Sequence, residues 1–219
     1  MMEPILRTSQ TIDWISFLIF FSLLFVVMAK SIFYSRFLNF IILPFNNKYI
    51  FMYNKKEKLI NWFNLFFGIF LVLNLSLFIY LAVPLLIETP LISNEFYFLL
   101  ILGTVVLFVF VKMLLQMGNS HIFGSQRLIS EIIFKKISYF NYSGIILFIG
   151  NVFLVYVLKD SKIVIYVITA LILLVQVIGW IAILRNYQKF ITSYFFYFIL
   201  YLCALEIAPF ILIGSYLKD

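Results

Sequence analysis

Few side chains in this sequence are placed to do chemistry, and one of them is a carboxyl group. Glu206 stands in the run Tyr201-Leu-Cys-Ala-Leu-Glu-Ile-Ala-Pro209, with no other charged residue between Lys189 and Lys218. A carboxylate in an apolar layer is costly if left charged and unpaired, so such a residue faces protein or water. It marks an ion pathway, a proton relay or a helix contact. Four uncharged polar side chains lie within other apolar runs: Asn74, Thr104, Asn151 and Gln176. Pro209 follows Glu206 by three residues, has no N–H for the carbonyl of Leu205, and crowds that carbonyl with its ring. A kink one turn beyond Glu206 leaves a free acceptor beside the carboxyl. That geometry suits a proton or cation relay; a structural kink needs only half of it.

Nothing else completes a catalytic set. One cysteine excludes an intrachain disulfide, and one histidine excludes the usual zinc sets. Cys203, within an apolar run, reads as a small packing residue. There is no phosphate-cradling glycine loop, no G-x-S-x-G elbow and no carboxylate pair. The chain therefore reads as non-enzymatic, with no cofactor, no metal and no catalytic residues. The net charge of +7 is spread over short segments between apolar runs. Orientation signals and anionic lipid headgroups account for it, so the bilayer, and not nucleic acid, is the expected partner.

The elements that must position these residues are membrane helices. Of 219 residues, 65% are hydrophobic and 11% charged, against about 45–50% and about 25% in soluble domains. Runs near the ~20 residues that a helical crossing needs occur at 14–33, 60–84, 96–117, 140–158, 163–184 and 192–216. The expected fold is an all-α bundle of six spans forming one transmembrane domain, 1–219. Residues 1–29 also permit a cleavable signal peptide, but Glu3 and Asp13 cancel Arg7, and Lys30 follows the apolar run. An uncleaved first helix is the expectation.

Charge orients the spans. Of the 16 Lys and Arg residues, twelve fall in the segments 30–58, 112–136 and 185–189 and four elsewhere. By the positive-inside rule the three rich segments are cytoplasmic and both termini lie on the far side. Asn74 and Glu206 are then each about fourteen residues from the inner end, roughly 21 Å at 1.5 Å per residue. They share a depth a little outside the midplane, while Asn151 and Gln176 fall nearer the middle or the inner half. Amides donating to the Glu206 carboxyl would make a shared polar layer; amides that merely tie helices together contribute about 0.6 kcal/mol each and at most about 2.

Two inner segments are more than connections. Residues 37–45 are too short to span and stop at Pro44, which makes them interfacial or re-entrant; Lys55-Lys56-Glu57-Lys58 follows. Residues 125–138 read as an amphipathic helix on the inner surface, N-capped by Ser125. There Arg127, Glu131 and Lys135 stand at i, i+4 and i+8, the spacing of an ion-pair ladder. Residues 118–124, including His121, read as a loop.

The run Tyr201, Leu202, Cys203, Leu205, Glu206, Ile207 and Pro209 resembles the Tyr-Leu-Cys-x-Leu-Glu-Ile-x-Pro signature of a domain-of-unknown-function family of Bacteroidota inner-membrane proteins. The resemblance implies a multi-pass protein of the bacterial cytoplasmic membrane, in a phylum where envelope machines for secretion and gliding are common. It implies no activity. The expected function is a non-enzymatic subunit or assembly factor of an envelope complex, held by another membrane protein or by self-association. The alternative is a small transporter or proton-coupled channel that uses Glu206.

Overall fold

The computed structural model describes residues 10–46, 48–53, 61–87, 95–122, 126–159 and 161–186. Contacts divide the chain into Met1–Gly179 and Trp180–Asp219. The first unit is described below, together with the last turns of its final helix. The sixth expected span, with Glu206 and Pro209, lies outside the described residues.

Among the described residues the structure is all helical, with five long apolar helices and two short ones. They are α1 (Gln10–Ile32), α2 (Tyr34–Ile41), α3 (Lys48–Tyr53), α4 (Trp62–Ile87), α5 (Glu95–Ile122), α6 (Gln126–Val152) and α7 (Lys162–Asn186). All five long helices are long and apolar enough to cross a membrane. Inside lipid a backbone must satisfy its own polar groups, and a continuous helix does so within one segment. α1 carries Asp13 in its first turn and Lys30 in its last, each opposite in sign to the helix end it occupies.

Contacts between the helices fix their directions. Trp14 meets Tyr80 at 5.3 Å and Phe33 meets Phe63 at 6.1 Å, so α1 and α4 are antiparallel. α5 begins beside the end of α4, where Tyr80 meets Tyr97 at 6.2 Å and Phe98 at 6.0 Å. It runs back until Lys112 Nζ stands 5.7 Å from the ring of Phe140, at the middle of α6. α6 then lies parallel to α4. Asn141 meets Asn64 and Asn151 meets Asn74, both at a separation of 77 residues. A constant separation at two levels requires helices that run the same way in fixed register. α7 returns antiparallel to α6, with Ile168 at Gly150, Gln176 at Ser143 and Gly179 at Tyr139.

α4 and α6 form the centre. One face of α4, with Leu77 and Tyr80, packs with Ile15, Phe98 and Val105 of α1 and α5. Another, with Leu71, Phe78 and Ala82, packs with Leu147 of α6 and with Ile165 and Ile168 of α7. Pro84 lies inside α4 and takes away the N–H that would have bonded the Tyr80 carbonyl one turn earlier. Outward faces carry Phe17, Phe20, Leu107, Phe110 and Leu173, all exposed, as lipid-facing positions of a bundle should be.

Three features differ from the reading of the sequence. The amphipathic stretch expected over 125–138 is not a separate surface helix: residues 126–138 form the first half of an uninterrupted α6, and Ile133, Phe134 and Lys135 are buried. Its charge spacing imitates a surface helix, but Phe134 stacks on Tyr49 of α3. α5 continues through His121 to Ile122 in place of the expected loop. Finally, α6 ends in a π-helical turn, Phe153–Val157, closed by Leu158 N donating to the Phe153 carbonyl at 2.8 Å. That five-residue spacing, rare outside such bulges, sends Leu154 to the α7 side of the bundle and Val155 to the α1 side. Tyr156 in the same turn meets Ser16 of α1, hydroxyl to hydroxyl, at 2.7 Å.

Candidate functional site

Two of the intramembrane polar residues, Asn74 and Asn151, meet in a seam between α4 and α6. At its middle Asn74 donates Nδ2 to the Phe70 carbonyl of its own helix at 2.8 Å. Asn151 donates Nδ2 to the Asn74 carbonyl at 2.9 Å and faces Asn74 Oδ1 at 3.3 Å. Both residues are buried, and Asn151 is fully so. Among the described residues the Asn151 Oδ1 accepts no hydrogen bond. Turning the amide over would set Oδ1 against two oxygens of Asn74, so the Asn74 contacts fix its orientation.

Asn74 and Asn151 therefore share one depth, where counting along the apolar runs set Asn151 farther in. The count failed because α6 starts well before its apolar stretch does, and its register on α4 is set by packing. Gln176 does not join this pair; its Nε2 donates to Ser143 Oγ at 2.9 Å and ties α7 to α6. Thr104 is exposed on α5, and its hydroxyl bonds the Leu100 carbonyl one turn back. Arg127 lies in the first turn of α6. Glu131 is half-buried one turn before Lys135, on which its charge acts.

At one end of the seam stands a group that the sequence reading did not single out. Asn141 donates Nδ2 to the Asn64 carbonyl at 3.3 Å. The Tyr49 hydroxyl donates to Asn64 Oδ1 at 3.5 Å and accepts from Arg36 Nε at 3.3 Å and Nη2 at 3.2 Å. The Arg36 guanidinium is 4% exposed and lies 4.7 Å from the ring of Phe63 and 4.9 Å from that of Tyr53. Aromatic faces attract a cation within about 6 Å, most strongly when it is desolvated. A signal for the asparagines was present: Asn64 and Asn74 are ten residues apart, and so are Asn141 and Asn151. Equal spacing on two helices is what a parallel, in-register pair requires. Nothing in the sequence pairs Arg36 with Tyr49.

The seam ties helices together: each rung joins two of them through an amide, a hydroxyl or a guanidinium. In a double-mutant cycle with Asn74→Leu and Asn151→Leu, the coupling is expected to be about 0.6 to 2 kcal/mol, read from reversible unfolding in mixed micelles. Additive losses would show that the pair is not a tie.

Five apolar helices alternating in direction, the central two joined by buried amide rungs, define a helical membrane-protein bundle. Within that class the chain belongs to the family described as "Domain of unknown function (DUF4271)", whose match covers residues 15–217. No curated protein matches the chain, and no solved structure does.

Proposed function

We propose that this chain is a non-enzymatic integral subunit or assembly factor of a bacterial envelope complex in the cytoplasmic membrane, of the kind that serves secretion or gliding. In this reading 192–216 supplies a sixth span, both termini face the periplasm, and the Arg36 end of the bundle is cytoplasmic. The positive-inside asymmetry supports that orientation. The resemblance around Glu206 supports a Bacteroidota origin.

The observation that carries the functional reading is the seam itself. Asn74, Asn151 and Gln176 engage in contacts between helices, and Thr104 bonds its own backbone. Polar side chains used in this way build a rigid body for a partner to grip, and Glu206 then pairs with or caps a partner helix. Tagged chain purified in mild detergent at near-native expression is expected to bring a second membrane protein with it, and Glu206→Gln to weaken that recovery. Recovery of the chain alone would count against the proposal.

One observation favours a second reading, a small proton-coupled transporter. The buried Asn151 Oδ1 has no partner among the described residues, and such an atom is a natural ligand for water or a cation. Under that reading Glu206→Gln abolishes flux in proteoliposomes while the bundle stays folded. Under the first reading no Glu206-dependent flux exists to lose.

A further inference from the structure

The segment between α1 and α4 is turned inside out by the standards of a soluble helix. It buries a charge and exposes large apolar side chains. Arg36, Phe40, Leu43, Tyr49 and Ile50 are buried, while Leu38, Ile41, Ile42, Phe45 and Phe51 are exposed, Phe45 to 90%.

The level of this segment relative to the spans follows from ring contacts. α2 leaves α1 at Phe33, where φ −124° and ψ 50° break the helix. It does not continue past the start of α4. Phe33 meets Phe63 at 6.1 Å, Phe37 meets Phe67 at 6.2 Å, and Phe40 meets Phe67 at 4.5 Å and Tyr142 of α6 at 5.8 Å. α2 thus climbs back alongside the spans by about one helical turn, roughly 5–6 Å. Hydrogen bonds from Leu43 N to the Phe40 carbonyl and from Phe45 N and Asn46 N to the Ile42 carbonyl turn the chain over. α3 then descends, so that Tyr49 stacks on Phe134 of α6 at 6.0 Å, well toward that helix's start. Arg36, Tyr49 and Asn64 clamp the hairpin to the bundle.

Surface at this level continues the exposed faces of α1 and α4. Ile32 and Trp62, which flank the segment, are themselves exposed. Lys48 is exposed at the start of α3, and Lys55, Lys56 and Lys58 follow it in the sequence. The exposed apolar side chains of the turn, with the exposed Lys48 beside them, match the two zones of a leaflet, acyl chains and anionic headgroups. A soluble protein partner would need the apolar face below the spans, whereas Phe37 and Phe40 hold it beside them.

We propose that residues 34–46 and 48–53 form a wedge half-inserted in the leaflet at the Arg36 end, with Ile42 and Phe45 among the acyl chains and the Lys48 side chain snorkelling to the headgroups. The inference rests on the membrane-embedded reading and is independent of any partner or of Glu206.

The test uses the full chain carrying Cys203→Ser and one nitroxide-labelled cysteine at Ile42, Phe45 or Lys48, in nanodiscs of phosphatidylethanolamine and phosphatidylglycerol. Leu107, exposed on α5, is the lipid reference and Lys159 the aqueous one. Collision with oxygen relative to a water-soluble nickel chelate is expected to be about tenfold higher at Ile42 and Phe45 than at Lys159 and close to Leu107, with Lys48 between. Two exposed tip positions keep the test open should one label disturb folding. A tip ratio equal to that of Lys159 would overturn the wedge, and so would low collision rates with both reagents, the sign of a protein cover.

Discussion

Gly179→Ala is expected to destabilise the protein, although the same change in a helix interior ordinarily gains about 0.8–1 kcal/mol. A Cβ at Gly179 would stand 2.7 Å from Tyr139 Cγ and 2.9 Å from its Cδ2. These atoms are at the root of the ring, and Tyr139 is 2% exposed, so the ring cannot swing clear and α7 must move off α6. Forcing an extra group into such packing costs about 1–3 kcal/mol, which outweighs the propensity gain. Gly150→Ala presses on Cδ1 and Cγ1 of the buried Ile168 and should destabilise as well. Gly68 and Gly103 have nothing within 4 Å of the added atom, and their alanine variants should be neutral or stabilising. Unfolding in mixed micelles across the four variants checks the order. Equal effects at Gly179 and Gly103 would contradict the α6–α7 packing.

Phe40→Ala should lose about 2–3 kcal/mol, with Phe45→Ala close to wild type. Phe40 is fully buried, with its ring centroid 5.4 Å from Tyr49, 5.5 Å from Phe63, 4.5 Å from Phe67 and 5.8 Å from Tyr142. Phe→Ala in a soluble core costs about 3–5 kcal/mol. In lipid the water-transfer share of that figure largely drops out, because acyl chains are as apolar as the core. What remains is the cavity and the four lost ring contacts. Phe40→Ala should also loosen α2 and α3 together, since the ring lies between α2, α3, α4 and α6. Faster exchange of the Tyr49 amide would show it, and exchange unchanged from wild type would mean that the hairpin is held elsewhere.

The long helices were legible in the sequence because a crossing helix needs a run of apolar residues, and runs near 20 residues are visible without knowledge of contacts. What escaped has a common cause. Arg36 and Lys135 read as solvated basic residues, yet both are buried, Arg36 under the rings of Tyr53 and Phe63 from α3 and α4. Asn151 was set too deep toward the inner side because depth was counted from the start of its apolar run, whereas α6 begins at Gln126. The π-helical turn at Phe153–Val157 has no local signal, since Phe, Leu, Val and Tyr are compatible with either helix. Of the candidate site, Asn74 and Asn151 were legible as polar residues in apolar runs, while the equal spacing that pairs them with Asn64 and Asn141 was a signal that the sequence reading did not use. The Arg36–Tyr49 clamp, thirteen residues apart across a turn, is a tertiary event. Glu206 and Pro209 lie outside the described residues, so the carboxyl that first drew attention keeps its sequence-level reading: a helix grip in the proposed subunit, a titrating site in the alternative.

The most direct measurement is native mass spectrometry of the tagged full chain, released from its own membranes in mild detergent at native expression. The account predicts a species heavier than the chain by a different membrane protein, in fixed ratio, that survives collisional removal of detergent. A spectrum holding only the mass of the chain, or its integer multiples, would contradict the proposal that this bundle is a subunit of a larger envelope assembly.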